Sequence, residues 1–213
     1  MRRYKVIGTA LCAGVLALWG GRADAEEFSV RLTGFQELGS LPSVVVDPTT
    51  HTVTSSASPT GAILSDGKGT AKLTLNRAAG TVDYELTYSN VGTTPPLTGT
   101  VTQAHIHFGK ARDSGGIMVF FCTNLTPPVG APTPAKCPLN STDPAGLTGT
   151  FMKDDVVAIA GQNVNAMDFD ALADALNSNT AYANIHTTAL PAGEIRGQVH
   201  KGDKDDKEDK HNH

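Results

Sequence analysis

Apolar and polar residues alternate along most of the chain, which is the pattern of β-strands that bury one face. Clusters of glycine, proline and asparagine separate the alternating stretches and predict turns. Residues 38–62 are rich in serine, threonine and proline, and we expect a loop there with at most one short strand, at residues 44–46. In total the pattern predicts about eight to nine short strands, among them residues 28–33, 69–76, 81–88, 103–109, 117–122, 146–151, 181–187 and 193–200.

One segment has the period of a helix instead. Phe169, Leu172, Ala173 and Leu176 are spaced i, i+3, i+4 and i+7, which places them on one apolar stripe. Asp168 stands before this stripe, where a helix N-cap belongs. We therefore predict one short helix at about residues 168–177 in an all-β protein. The many short strands favour an antiparallel Greek-key sandwich or barrel.

The first 25 residues have the three parts of an export signal. Arg2, Arg3 and Lys5 precede an apolar run over residues 6–19, and residues 23–25 (Ala-Asp-Ala) form a cleavage motif. The run is too short for a transmembrane helix, and no later stretch is apolar enough for one. We therefore predict a cleaved signal at residues 1–25 and a mature protein that is secreted or periplasmic.

Charge separates the rest of the chain into a domain and a tail. Residues 201–213 are highly charged and contain no apolar side chain, so we expect this tail to be disordered. Residues 26–200 are enough for one domain with a core. The formal net charge is −4, and removing the signal makes it more negative because the signal carries four basic residues and one acid. An acidic chain is a poor candidate for nucleic acid, which leaves an unidentified protein or small ligand as the expected partner.

Two cysteines, Cys122 and Cys137, remain after the signal is removed. In an exported protein such a pair indicates a disulfide, here closing a proline-rich loop. A cysteine metal or redox site is the alternative, but the spacing is long and no C-x-x-C motif is present. We expect the disulfide.

Histidines are the strongest candidates for chemistry. His105 and His107 share one face of a predicted strand, since successive side chains of a strand point to opposite faces. His186 lies on a predicted strand far downstream, together with Asn184 on the same face. If the two strands are neighbours, the three imidazoles can bind one copper or zinc ion. A half-exposed, hydrogen-bonded histidine pair without metal is the alternative.

The last predicted strand adds two charged residues to this picture. Glu194 and Arg196 share a face by strand alternation, which would place their opposite charges close enough to form an ion pair. Three strands thus present polar side chains in alternation, which suggests a ligand site or a hydrogen-bond network that includes Asn184, Glu194 and Arg196. Polar outer faces are also common in antiparallel sheets, so a purely structural role stays open.

Three ordered motifs resemble one known family. Residues 104–109 (AHIHFG), 182–187 (YANIHT) and 191–198 (PAGEIRGQ) are similar to the signature of the CHRD domain, which is named after chordin. The resemblance extends over about residues 27–200. It implies an extracytoplasmic β-rich module without an established general activity, and the form with a single domain behind a signal resembles secreted bacterial proteins. The loop at 38–62 and the cysteine loop depart from the family pattern.

A second, weaker resemblance concerns residues 105–109. His-x-His followed by Phe-Gly is similar to a copper-binding strand of copper/zinc superoxide dismutase, which needs further histidines and an aspartate. The residues after Gly109 do not supply them. No Ser-His-Asp arrangement, phosphate loop or H-E-x-x-H motif is present in the sequence, which favours a protein that is not an enzyme.

Three functional hypotheses follow. The first is a secreted CHRD-domain binding module that holds one copper or zinc ion at His105, His107 and His186. The second is a structural or adhesive domain without metal. The third is a metal-dependent hydrolase or oxidase with Glu194 as its base.

Overall fold

The computed structural model describes residues 25–38, 40–46, 53–59, 61–94, 98–126, 133–139 and 145–202, of which 40–46 and 53–59 are described as backbone only. Almost all of the predicted signal and nearly all of the predicted tail lie outside these residues. No helix among the described residues is long and apolar enough to cross a membrane.

Ten strands account for about half of the described chain. They are β1 (Glu26–Thr33), β2 (Ser40–Val46), β3 (Val53–Pro59), β4 (Lys68–Asn76), β5 (Thr81–Ser89), β6 (Val101–Phe108), β7 (Gly116–Thr123), β8 (Ala145–Phe151), β9 (Ala181–Thr187) and β10 (Ile195–Lys201). Eight of them form one antiparallel sheet in the order β7-β6-β9-β10-β1-β4-β5-β8. This order places β9 between β6 and β10, so the three motif-bearing strands are neighbours.

Aromatic side chains bring the two edges of this sheet together. Tyr84 of β5 stacks on Phe151 of β8 with ring centroids 4.4 Å apart, and contacts Phe121 of β7 edge-on at 5.1 Å. The Tyr84 hydroxyl also donates a hydrogen bond to the Phe121 carbonyl at 3.4 Å. The sheet therefore wraps into a nearly closed barrel, and the predicted all-β antiparallel class is confirmed.

The barrel buries one apolar face of the sheet. Its alternating strands bury side chains such as Leu73, Leu86 and Ile106. The helix α1 (Phe169–Asn177) adds to this core a stripe made of Leu172, Ala173, Ala175 and Leu176. The Asp168 carboxylate accepts the backbone N–H of Ala171 at 3.0 Å, which satisfies a free donor of the first turn. The predicted helix and its cap are confirmed.

The segment predicted as a loop, residues 38–62, is different in the structure. β2 contains the predicted short strand at 44–46, but β3 was not predicted. The two strands pair antiparallel from Ser40↔Pro59 to Val46↔Val53 and form a sheet of their own. Backbone pairing in a two-stranded ribbon does not require alternating apolar residues, so the prediction based on that alternation missed it.

The predicted disulfide between Cys122 and Cys137 is present, with the two Cα atoms 4.9 Å apart. Both cysteines are buried. Beside the bridge, Thr123 N–H donates to the Ala135 carbonyl at 2.9 Å, and Asn124 Nδ2 donates to the Cys137 carbonyl at 3.2 Å. The bridge therefore joins the end of β7 to a segment that is also held by backbone hydrogen bonds.

Replacing both cysteines by alanine is expected to lower the free energy of unfolding by about 3 kcal/mol, the chain-entropy value for a loop of this length. Urea unfolding of metal-free protein, followed by circular dichroism, measures the change. The urea midpoint of the wild-type protein in reductant should equal that of the double variant in oxidising buffer. An unchanged urea midpoint in the double variant would contradict a stabilising role.

Candidate metal centre

Strands β6, β9 and β10 place a row of polar side chains on one face of the sheet, opposite the apolar core. The register pairs His105 with Asn184 and Asn184 with Arg196 across the three strands. Between β6 and β7, the register shifts twice, beside His105 and beside His107. Such irregularities change the direction of side chains and are frequent next to functional sites.

His105, His107 and His186 form one cluster, which we call the histidine cluster. One ring nitrogen of each lies within 4.8 Å of the other two. The three side chains are buried, with exposed fractions of 1%, 8% and 5%. The structure therefore brings together the three histidines that the sequence analysis identified. His186 on β9 follows the two histidines of β6 by at least 79 positions in the chain.

Backbone carbonyls fix the orientation of two of these rings. The Gly115 carbonyl accepts from Nδ1 of His107, and the Pro191 carbonyl accepts from Nδ1 of His186, both at 2.9 Å. A carbonyl only accepts, so each Nδ1 carries the proton and each Nε2 has a free lone pair. This assignment of tautomers follows from the partners of each ring.

The third ring completes the pattern. Nδ1 of His105 lies 3.2 Å from Nε2 of His107. Because Nε2 of His107 is an acceptor, Nδ1 of His105 is the donor in the metal-free protein, and its Nε2 is left with a lone pair. The buried Nε2 atoms of His105 and His186 have no hydrogen-bond partner among the residues that the structure describes. Two lone pairs in one buried cluster therefore lack a donor.

Burial also controls the protonation of the cluster. Desolvation lowers the pKa of His107 and of His186 to about 4, and it lowers the pKa of His105 well below its usual range. The buried neighbouring rings add to the shift of His105 and His107. At neutral pH all three imidazoles are therefore neutral, which is the form that binds metals.

Aromatic rings surround the cluster. Phe120 contacts His105 edge-on at 4.7 Å, and Tyr182 stacks on His107 at 4.7 Å with nearly parallel planes. The guanidinium of Arg196 packs over the Tyr182 ring, 3.3 Å from its centroid. Arg196 is held there by two hydrogen bonds from Nη2 to the carbonyls of residues 110 and 113. These contacts leave little freedom for the rings to move.

Asn184 is the polar neighbour of the cluster on β9. Its side chain is 3% exposed, and Oδ1 accepts no hydrogen bond from the described residues. Burial is the main cause of the low pKa values of His105 and His107, and the nearby Asn184 side chain opposes it. Asn184 therefore lies beside the cluster, as the shared strand face predicted.

The expected pairing of Glu194 with Arg196 is not found in the structure. Glu194 lies one residue before β10, so strand alternation does not place it beside Arg196. Its carboxylate accepts from the hydroxyls of Ser65 and Thr98, each at 2.7 Å, and from Gly92 N–H at 3.0 Å. No pattern in the sequence points to these three partners, because hydroxyls and a backbone amide in separate loops follow no spacing rule.

Comparison with known proteins gave one match. The CHRD domain family matches residues 28–199, a range that includes most of β1, most of β10 and all three histidines of the cluster. Neither the curated proteins nor the solved structures gave a match. The match covers far more than half of the chain. The chain therefore belongs to the CHRD domain family.

Proposed function

We propose that this CHRD domain is a binding module that holds one transition metal ion, copper or zinc, at His105, His107 and His186. The observation that carries the proposal is the pair of buried Nε2 lone pairs, on His105 and His186, that receive no hydrogen bond from the described part of the chain. A buried acceptor without a partner is costly, and a metal ion that accepts both lone pairs removes that cost.

The arrangement of the rings supports a metal rather than a proton. Metal-binding histidines usually donate their other N–H to a carbonyl or carboxylate, which orients the ring. His107 and His186 have this arrangement through Gly115 and Pro191. The low pKa values mean that a proton does not occupy these lone pairs at neutral pH.

A structural domain without metal is the second candidate. The hydrogen bonds of His107 and His186 to the Gly115 and Pro191 carbonyls, like the buried contacts of Glu194, tie strands of the barrel to neighbouring loops. In this case a bridging water would satisfy the two lone pairs. The enzyme hypothesis loses its proposed base, because both carboxylate oxygens of Glu194 already accept hydrogen bonds within a separate network.

We also propose that the protein acts outside the cytoplasm. The disulfide is compatible with an oxidising compartment, and the sequence of residues 1–25 has the features of an export signal. N-terminal sequencing of protein from an exporting host should find Glu26 as the first residue. An intact Met1 would contradict a cleaved signal.

Metal content tests the proposed site. Protein with His211→Ala and His213→Ala, so that the tail cannot contribute, should contain nearly one copper or zinc per chain by mass spectrometry. Adding His105→Ala and His107→Ala should remove it, because one imidazole does not retain the ion. His200→Ala, at an exposed histidine, is the matched control and should leave the metal in place.

The contrary result is equally defined. Absence of metal before and after reconstitution with each ion, in folded protein, would assign the histidines a structural role. Equal metal content in the wild-type cluster and the double variant would place the ion elsewhere.

A further inference from the structure

The histidine cluster contains no anionic ligand. Among the residues that the structure describes, the group of ligand atoms within 4.8 Å of one another consists of three imidazole nitrogens, without a carboxylate or thiolate. The cysteines of the domain are joined in a disulfide and are not available. Since the imidazoles are neutral, a bound ion keeps its full charge in a buried environment.

The surroundings add no negative charge to the cluster. Arg196 is 2% exposed, and its positive charge helps to lower the pKa of His107. Among the described residues, no carboxylate shifts the pKa of any of the three histidines in the opposite direction. Glu37 is also buried, but its charge acts on Arg196 and Tyr182. The carboxylate of Glu194 belongs to the separate network with Ser65, Gly92 and Thr98.

We propose that the ion held by the histidine cluster is Cu(I), in preference to any divalent ion; this inference rests on the proposed metal-binding function. The cost of transferring an ion into a low-dielectric interior grows with the square of its charge. A monovalent ion therefore costs about a quarter as much as a divalent ion of the same size. Imidazole suits copper as well as zinc, so the selection of Cu(I) at this cluster rests on the charge of the ion and not on soft thiolate or thioether ligands.

Coordination number supports the same choice. A zinc ion with three protein ligands keeps an open fourth position for water or substrate. The rings of this cluster are almost fully buried, and Phe120 and Tyr182 pack against two of them. Cu(I) is satisfied by three ligands and needs no water. The buried, three-nitrogen arrangement therefore fits Cu(I) better than a hydrated divalent ion.

Competition titrations test this inference directly. Full-length protein with His211→Ala and His213→Ala is titrated anaerobically with Cu(I) against bicinchoninate, and separately with Zn(II) and Cu(II) against chromogenic chelators. We expect one Cu(I) per chain, bound at least about 100-fold more tightly than Zn(II). If none of the three ions binds, the proposed function fails; if Zn(II) or Cu(II) binds as tightly as Cu(I), only the present inference fails.

An added charge tests the cause of the preference. Asn184→Asp keeps the size of the side chain and places a carboxylate beside His105 and His107. The added negative charge attracts a divalent ion more strongly than a monovalent ion. At short range and with an effective dielectric constant near 20, this difference should favour binding of Zn(II) over Cu(I) by on the order of 100-fold relative to wild type. The Cu(II)/Cu(I) potential should fall by about 120 mV for the same factor, since tenfold corresponds to about 59 mV for one electron.

Asn163→Asp is the matched control, because it makes the same charge change at an exposed position. It should leave both the ion preference and the potential unchanged. An unchanged preference in folded Asn184→Asp would contradict charge as the cause. If Asn184→Asp does not fold, which circular dichroism reports, the wild-type titrations alone decide the inference.

Discussion

Lowering the pH from 7 to 5 is expected to destabilise the metal-free protein by about 4 kcal/mol through His107 and His186, about 2 kcal/mol from each, and His105 adds to the loss in the same direction. The pKa of His107 and of His186 is about 4 in the folded protein, and that of His105 is well below its usual range. In the unfolded chain the same side chains have a pKa near 6.5.

The direction follows from proton binding. Between about pH 6.5 and pH 4 the unfolded chain binds protons at these histidines and the folded protein does not, so the free energy of unfolding rises with pH. The stabilisation is complete above pH 6.5 and is lost as the pH falls toward 4. At pH 5 the loss from His107 and His186 depends mainly on the unfolded pKa, because their folded pKa is about 4.

Urea unfolding at several pH values between 5 and 7, with a chelator present, measures this effect. The variant His107→Gln/His186→Gln should lose the part of the pH dependence that these two histidines contribute, about 4 kcal/mol, since neither position titrates any longer. His200→Gln, at an exposed position, should keep the wild-type dependence. A free energy of unfolding that is constant from pH 7 to pH 5 would show that the cluster is not buried from solvent.

The second large effect is expected for Glu194→Ala, which should lower the free energy of unfolding by about 4 kcal/mol. The carboxylate is fully buried and accepts hydrogen bonds from Ser65, Gly92 and Thr98, which lie in different parts of the chain. Removing it takes away the acceptor that these three donors share, and each donor that finds no other acceptor costs about 1–3 kcal/mol. The loss of packing adds to this cost.

Thermal and urea unfolding of metal-free protein measure the change. Glu85→Ala is the matched control, because Glu85 is exposed and makes only a surface ion pair with Lys72 at 3.6 Å, so its removal should cost less than about 1 kcal/mol. Hydrogen exchange at Gly92 N–H should accelerate in Glu194→Ala and not in Glu85→Ala. Equal costs for the two substitutions would show that the buried network contributes little.

Glu194 and the histidine cluster stabilise the protein in different ways. Glu194 holds loops together through hydrogen bonds. The histidines are neutral in the folded protein, and the protein loses stability when they are protonated. Glu194 also follows Gly193, whose φ of +134° and closeness to the Glu37 carboxylate leave no room for a side chain. The turn between β9 and β10 is therefore fixed by glycine geometry and by a buried acid, independently of any metal.

The amino-acid sequence determined the strands whose alternation reflects a buried face, because apolar periodicity is a direct consequence of packing on a core. It determined α1 and its Asp168 cap, since the helical period and the capping residue are local features. It also identified the disulfide and the three histidines by residue type. It did not reveal β3, whose pairing in a two-stranded ribbon needs no apolar alternation.

Only the tertiary structure decided which of these residues meet. His105 and His186 are far apart in the chain, and their contact depends on β9 lying between β6 and β10, an order that no local pattern encodes. The orientation of the rings by the Gly115 and Pro191 carbonyls, and the partners of Glu194, likewise involve backbone groups and hydroxyls from distant loops. Such contacts arise from long-range pairing, which residue spacing along one chain does not specify.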